Sequence, residues 1–330
     1  MYLPANAMRA LLDLGVGDQI IAAGRVNERR RYLNAKGSEL FAIDEDLFWR
    51  GAAPCIGVRR TDLHRALRHG VVGSMVRLGT TVAALRTDSS AHVIFSDGTG
   101  DRYDLVVGAD GVHSSIRELL FGPAPPRPAS LASASWRCVL PNIMAVDCWT
   151  VWTGPRAIFL AVPIDREHLY VFAALTRNPV GPEQPTEQEI VDAFRTFDAP
   201  VRHSVAQFWS HQDQLFFSPI LQVDQRPIGR GRAVLIGDAA HAMAPTMAQG
   251  AAMAFEDAVV LAHLIAAGTP TLELVDAFER RRRRRVEWVR THTEQQAWML
   301  NLPYALRNQF VRLGGRQLWQ RSYSLLREAI

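Results

Sequence analysis

The sequence predicts an α/β protein in which a parallel-sheet domain is joined to a second, mostly antiparallel β domain and closed by C-terminal helices. Three observations predict it. Two apolar runs, Asp104-Leu-Val-Val-Gly-Ala-Asp and Arg232-Ala-Val-Leu-Ile-Gly-Asp, each stop on glycine and aspartate and lead into a helical pattern, as buried parallel strands do. Between them, runs rich in aromatic and β-branched residues follow one another at short spacing, as in an antiparallel sheet. From Gln249 the pattern is helical to Ile330. A chain of 330 residues is long enough for two domains.

The elements follow in order. Pro4 in a first turn, a stripe of Met8, Leu11 and Leu12, and Gly15 as a stop predict the opening helix. Arg31-Tyr-Leu and Ser38-Glu-Leu-Phe-Ala-Ile flank a glycine turn and predict a hairpin. Thr61 is placed to cap a helix that buries Leu63, Ala66 and Leu67 and ends at Gly70. Strands are then expected at Met75-Val-Arg-Leu, His92-Val-Ile-Phe and Tyr103 to Asp110, with Asp97-Gly98 turning between the last two. The proline-rich Pro123 to Pro128 continues neither helix nor central strand, which places a domain crossing there. Strands at SASWRCVL, VDCWTVW, AIFLAVPI and HLYVFAALT come next, then a helix near Thr186 to Phe197. The chain returns to a central parallel strand after Arg226-Pro227.

Composition narrows the function. With 48% hydrophobic and 21% charged residues the chain builds a large core. No apolar run approaches the ~20 residues of a membrane span, and the first residues lack the basic-then-apolar layout of a secretory signal, so a cytoplasmic location is expected. Cys55, Cys138 and Cys148 have neither a disulfide framework nor zinc-ligand spacing, and no metal site is suggested. Much of the positive excess sits in Arg280 to Arg285, which reads as one solvated stretch of an amphipathic helix. Basic residues are not interleaved with aromatics as nucleic-acid binding wants; contacts with phosphates or a subunit are the remaining uses.

The chemistry gathers at the two strand ends. Asp238 follows Gly237 at the carboxyl end of its strand, where an aspartate can accept hydrogen bonds from a sugar-like hydroxyl, and the small residues around it admit a ligand to the backbone. After Pro245, Gln249-Gly250-Ala251 open a helix whose first N–H groups lack partners and favour anionic groups. An alanine-rich core helix after a tight turn is the plainer reading of the same stretch. At the other end Asp110-Gly111 stands before a helix capped by Ser114 or Ser115, with Arg117 in its first turn facing a phosphate; a tight turn between strand and helix uses the same residues.

Together, Asp110-Gly111 in GADGVHSSIR and Gly237-Asp238 in LIGDAAHAMAP resemble the FAD-dependent aromatic hydroxylases, the single-component flavoprotein monooxygenases of the p-hydroxybenzoate hydroxylase fold. Arg60-Thr-Asp-Leu is similar to that family's Arg-x-Asp-Leu helix, Ser135-Trp136-Arg137-Cys138 to its Thr-Trp-Arg-Cys strand, and AFERRRRRRV to its Tyr-Glu-x-x-Arg helix. MAQGAAMAFEDA is similar to the branch with salicylate and 6-hydroxynicotinate hydroxylases. The resemblance spans essentially the whole chain. It implies FAD as cofactor and NAD(P)H as co-substrate, and hydroxylation of a small aromatic or heteroaromatic acid with O2. Gly237 and Asp238 would meet the ribityl chain, and Pro245, Gln249, Gly250 and Ala251 would lie along the flavin. Arg60 would sit near the pyrophosphate, and the Val82 backbone at the adenine. Asp110, Gly111 and Arg117 would serve FAD or visiting NAD(P)H, and His241 is read as a packing and hydrogen-bonding residue. The family division implied is a discontinuous FAD-binding domain (1–28, 59–122, 226–285), a substrate domain (29–58, 123–225) and a C-terminal helical segment (286–330).

Two departures qualify the resemblance. The family's first strand-turn-helix with G-x-G-x-x-G is not found, so an N-terminally truncated parallel-sheet domain is expected, in a fragment or in a degenerate homologue. Val162-Pro163 stands where relatives often have Tyr-Pro, so no catalytic base or phenol-orienting tyrosine is named. The rivals are another oxidation on the same fold (epoxidation, halogenation or reduction) and a flavin-free binding protein.

Overall fold

The computed structural model describes residues 1–88, 90–124, 126–128, 134–176, 185–208, 210 and 214–330. Its largest sheet runs in the order Phe216–Pro219, Ala134–Pro141, His168–Leu175, Ala157–Pro163, Trp149–Thr153, Arg29–Asn34, Glu39–Asp44. Every pairing is antiparallel except that of Trp149–Thr153 with Arg29–Asn34. The four aromatic-rich runs and the hairpin thus form one sheet. Alternation sorts its two faces. Trp136, Cys138, Phe159 and Val171 pack under the helices Glu187–Phe194 and Ala199–Ala206. Tyr32, Trp149, Leu160, Val162 and Tyr170 face the opening helix and the helix Gly250–Ala266. Thr186 caps its helix through a reciprocal capping box with Glu189. Pro125, in the expected connector, lies outside the described residues; Arg127–Pro128 beyond it pairs with Leu221–Gln222.

A smaller sheet carries the two strand ends that matter. Ala233–Leu235 lies between Val106–Gly108, to which it runs parallel, and Gly229–Arg230. It is fully buried, as its two-sided apolar sequence requires. The expected single strand from Tyr103 to Asp110 divides: Gly100–Tyr103 closes a meander with Val82–Thr87 and Ala91–Phe95, and Val106–Gly108 joins the parallel pair.

One expected strand is absent. Met75-Val-Arg-Leu is irregular, with Val72 83%, Met75 86% and Leu78 87% exposed. Strand propensity is not enough where no described neighbour takes up the backbone hydrogen bonds.

The helices frame the sheets. The opening helix Ala5–Asp13 buries Met8 and Leu11, and Gly15 takes φ 75° after it. The helix Arg60–Gly70 starts before the expected Thr61 cap, with Arg59 flanking it and no side chain capping it. Helices Gly250–Ala266, Thr271–Leu300 and Tyr304–Tyr323 complete the chain, and no described helix is long and apolar enough to cross a membrane. The arginine run is not one solvated stretch. Arg282 and Arg285 are 2% and 7% exposed, because every third or fourth residue of this helix faces the helix Gly250–Ala266.

Candidate functional site

The strand Ala233–Leu235 delivers the chain to Gly237, whose φ of 58° and ψ of −140° suit glycine alone. A Cβ there would stand 3.0 Å from the Cβ of Ala254. The turn therefore needs both a glycine and a small residue on the facing helix. It aims Asp238 into an opening where no described side chain or main-chain N–H hydrogen-bonds it. Desolvation pushes the Asp238 carboxyl above its usual range, and the neighbouring His241 and Arg60 offset part of that rise. An exposed carboxylate with no described hydrogen-bond partner suits a ligand that brings hydroxyl donors.

The next element borders the same opening. Pro245–Met247 forms a single 3-10 turn, Ala248 adopts φ 53°, and Gln249 leads into the helix Gly250–Ala266. No side chain caps that helix, and its first main-chain bond runs from the Met253 N–H to the Gln249 carbonyl. The N–H groups at the start of the helix have no intrahelical acceptors. A Cβ at Gly250 would lie 3.9 Å from Asp238 Oδ1, so the helix start and the carboxylate share one opening. Gln249 turns inward, where its side chain exchanges hydrogen bonds with Asn6. The Tyr323 hydroxyl donates to the Met247 carbonyl at 2.8 Å and ties the C-terminal helix to this turn.

Behind the opening lies a charge network whose members were not singled out as site residues in the sequence. Asp257 accepts from the Gly237 N–H at 2.8 Å, from Arg282 Nε at 2.6 Å, and pairs with His241 Nε2 at 2.7 Å. Burial alone would raise the Asp257 carboxyl; His241, Arg282 and the Gly237 N–H outweigh it and hold it at about 2. Glu256 beside it receives Arg282, Arg285 and Asn6. The available signal was two adjacent carboxylates on an otherwise apolar helix, with arginines spaced three apart further on. His241 does act as a packing and hydrogen-bonding residue.

Asp110 and Gly111 stand at the end of the adjacent parallel strand. Asp110 accepts from the Ser114 hydroxyl, from Ser115 Oγ at 3.1 Å and from the Ile116 N–H at 3.1 Å. Partial burial opposes ionisation, but these bonds hold the carboxyl below its usual range. Ser114 is the cap of the helix Ser115–Phe121. Arg117 does not face outward. It is 1% exposed, and its guanidinium donates to the Ala239 and Val112 carbonyls at 2.9 Å each, so it clamps the two aspartate turns together from behind. Val82 packs into the cluster of Ile116, Leu120, Ala239 and Ala240.

The large sheet presents Tyr170 against the cluster that contains Ala244. Its register partner is Val162, the residue in the place of the expected tyrosine, so a phenol does stand on this face, one strand over. Burial pushes the Tyr170 hydroxyl up, and Arg137 and Arg60 pull it down. Arg60 lies near enough to act electrostatically on both Asp238 and Tyr170.

A buried strand ending in Gly-Asp beside an uncapped helix start is the arrangement in which α/β proteins hold ligands at the carboxyl ends of their strands. The chain matches the FAD binding domain family over residues 1–293 and belongs to it. It is 34% identical to 2-heptyl-3-hydroxy-4(1H)-quinolone synthase of Pseudomonas aeruginosa, over 98% of this chain and 87% of that protein. Aurachin C monooxygenase/isomerase of Stigmatella aurantiaca is 33% identical over 80% of this chain and 69% of its own. The structure of Klebsiella pneumoniae HpxO complexed with FAD and uric acid superposes with a TM-score of 0.86 at 22% identity, covering 99% of this chain and 87% of that one. The chain is by this kinship an FAD-dependent monooxygenase with NAD(P)H as co-substrate. Its residues fit such a cofactor: Asp238 has no described hydrogen-bond partner, and no side chain caps the helix that starts at Gly250 beside it.

Proposed function

We propose that the protein hydroxylates a small aromatic or heteroaromatic acid with NAD(P)H and O2. The observation that carries this reading is Asp238 at its strand end, exposed and without a described hydrogen-bond partner, beside the uncapped start of the helix Gly250–Ala266. Bound FAD supplies reduction by NAD(P)H and the activation of oxygen. The chain's own residues bind and orient. Asp238 and Arg60 hold the cofactor, Gly237 and Gly250 let it approach the backbone, and Val82 and Asp110-Gly111 border its nucleotide end. Arg117 supports both turns rather than touching the ligand. Leu160, Phe172, Ala244 and Ala297 form a dry wall for the ring. The single lysine, Lys36, sits exposed in the hairpin turn.

In this reading the cofactor domain comprises 1–28, 59–122 and 226–285, the substrate domain 29–58 and 123–225, and 286–330 closes the site. The free thiols of Cys55, Cys138 and Cys148 suit the cytoplasm, where NAD(P)H is available.

The test is a flavin spectrum on the purified protein, before and after adding FAD. It is followed by NAD(P)H oxidation and O2 uptake across hydroxybenzoates, hydroxypyridines and 2-alkyl-4-quinolones, the last suggested by the heptylquinolone relative. Stimulated oxidation with a hydroxylated product is expected. A protein that takes up no flavin overturns the reading.

A further inference from the structure

A cation stands among aromatic rings on the sheet face that borders Ala244. Arg137 is the cross-strand neighbour of Phe172 on one side and of Phe216 on the other. Its guanidinium lies over both rings, 5.5 and 5.9 Å from their centroids. It is half-buried, and among the described residues no carboxylate lies within ion-pairing distance of it. The face is otherwise apolar. Phe172 packs with Ile220, Ala244 and Ala297, and Tyr170 borders the same cluster. Ala244 directly precedes the Pro245 turn of the flavin opening. Beyond its hydrogen bond to the Tyr170 hydroxyl, no described partner takes up the guanidinium's remaining donors, and its planar fork matches a carboxylate in a way an ammonium does not.

We propose that Arg137, with Tyr170 as a neutral donor beside it, is the anion-recognition site for the substrate: it receives the carboxylate or ring oxyanion of an aromatic acid whose ring lies against Phe172. This rests on the monooxygenase reading and names its substrate class. Tyr170 stays protonated because burial raises its pKa, so it donates while Arg137 supplies the charge.

The test titrates the FAD-treated protein with salicylate and with salicylamide, which keeps the ring and hydroxyl but lacks the carboxylate. Binding is read from tryptophan fluorescence, and flavin uptake is measured separately from the absorbance spectrum. The native protein should prefer salicylate. Arg137→Gln should weaken salicylate by about tenfold or more and salicylamide by no more than about twofold, as loss of a charge-assisted contact requires. Arg137→Lys should recover part of the loss. Equal weakening of both probes, no change in either, or no native preference for salicylate overturns the proposal. Salicylate preference without flavin uptake supports the anion site and fails the monooxygenase reading, so the two are told apart.

Discussion

The carboxylate of Asp257 accepts a 2.8 Å hydrogen bond from the main-chain N–H of Gly237, 20 residues earlier in the chain. The turn that aims Asp238 is therefore held by a buried charge that also engages Arg282 and His241. Removing one partner of such a network leaves the others uncompensated and costs about 3–5 kcal/mol. Asp257→Ala should lower the calorimetric unfolding midpoint and weaken FAD binding together. A variant with its midpoint unchanged would show that Glu256 alone keeps Arg282 satisfied.

The same carboxylate sets an acid limit. Asp257 is held at about 2 in the folded chain, against about 3.9 when unfolded. A depressed carboxyl contributes stability that is present above the unfolded value and is lost as pH falls through the folded one. The loss should fall between about pH 4 and pH 2 and amount to roughly 2 kcal/mol. Urea denaturation at stepped pH checks it, and Asp257→Asn should flatten the profile in that window.

Asp238 has the opposite sign. Desolvation raises its carboxyl in the folded chain, so its ionisation opposes folding as pH rises past the unfolded value. Asp238→Asn should leave the flavin-free protein as stable or slightly more stable at pH 7, while FAD binding weakens by about tenfold or more. Thermal melts with and without FAD separate the two effects. A melt lowered equally in both states would make Asp238 a packing residue.

How much of this was legible follows from the range of each interaction. Trp136 and Phe159 announced their strands because alternation is local, and Asp238 stood out because an acid among glycine and alanine has no packing role. Met75 to Leu78 misled because propensity is local but a strand needs a neighbour. The pairing of Asp257 with Arg282 joins two helices across 25 residues, and no period of either helix reveals it. Tyr170 was hidden for a similar reason: only the register of two strands sets it opposite Val162.

Gly237 carries a steric prediction. At φ 58° and ψ −140° a side chain is strained, and a Cβ would press on Ala254 at 3.0 Å. Gly237→Ala should cost about 1–3 kcal/mol, read as a lower denaturant midpoint with an unchanged slope. Pairing it with Ala254→Gly should return only the steric part, since the backbone strain remains.

The segment after the helix Arg60–Gly70 predicts behaviour in solution. Val71, Val72, Met75, Val76 and Leu78 are each more than half exposed, within eight consecutive positions. Grouped apolar exposure of this kind drives association, whereas scattered residues do not. Replacing Val72, Met75 and Leu78 together by serine removes contacts that the folded chain does not make, so stability should change by no more than about 0.5 kcal/mol per site. Static light scattering should show less concentration-dependent association than in the parent protein, with the same thermal midpoint. A midpoint several degrees lower would mean that these side chains pack in solution against a surface of this protein or of a second copy.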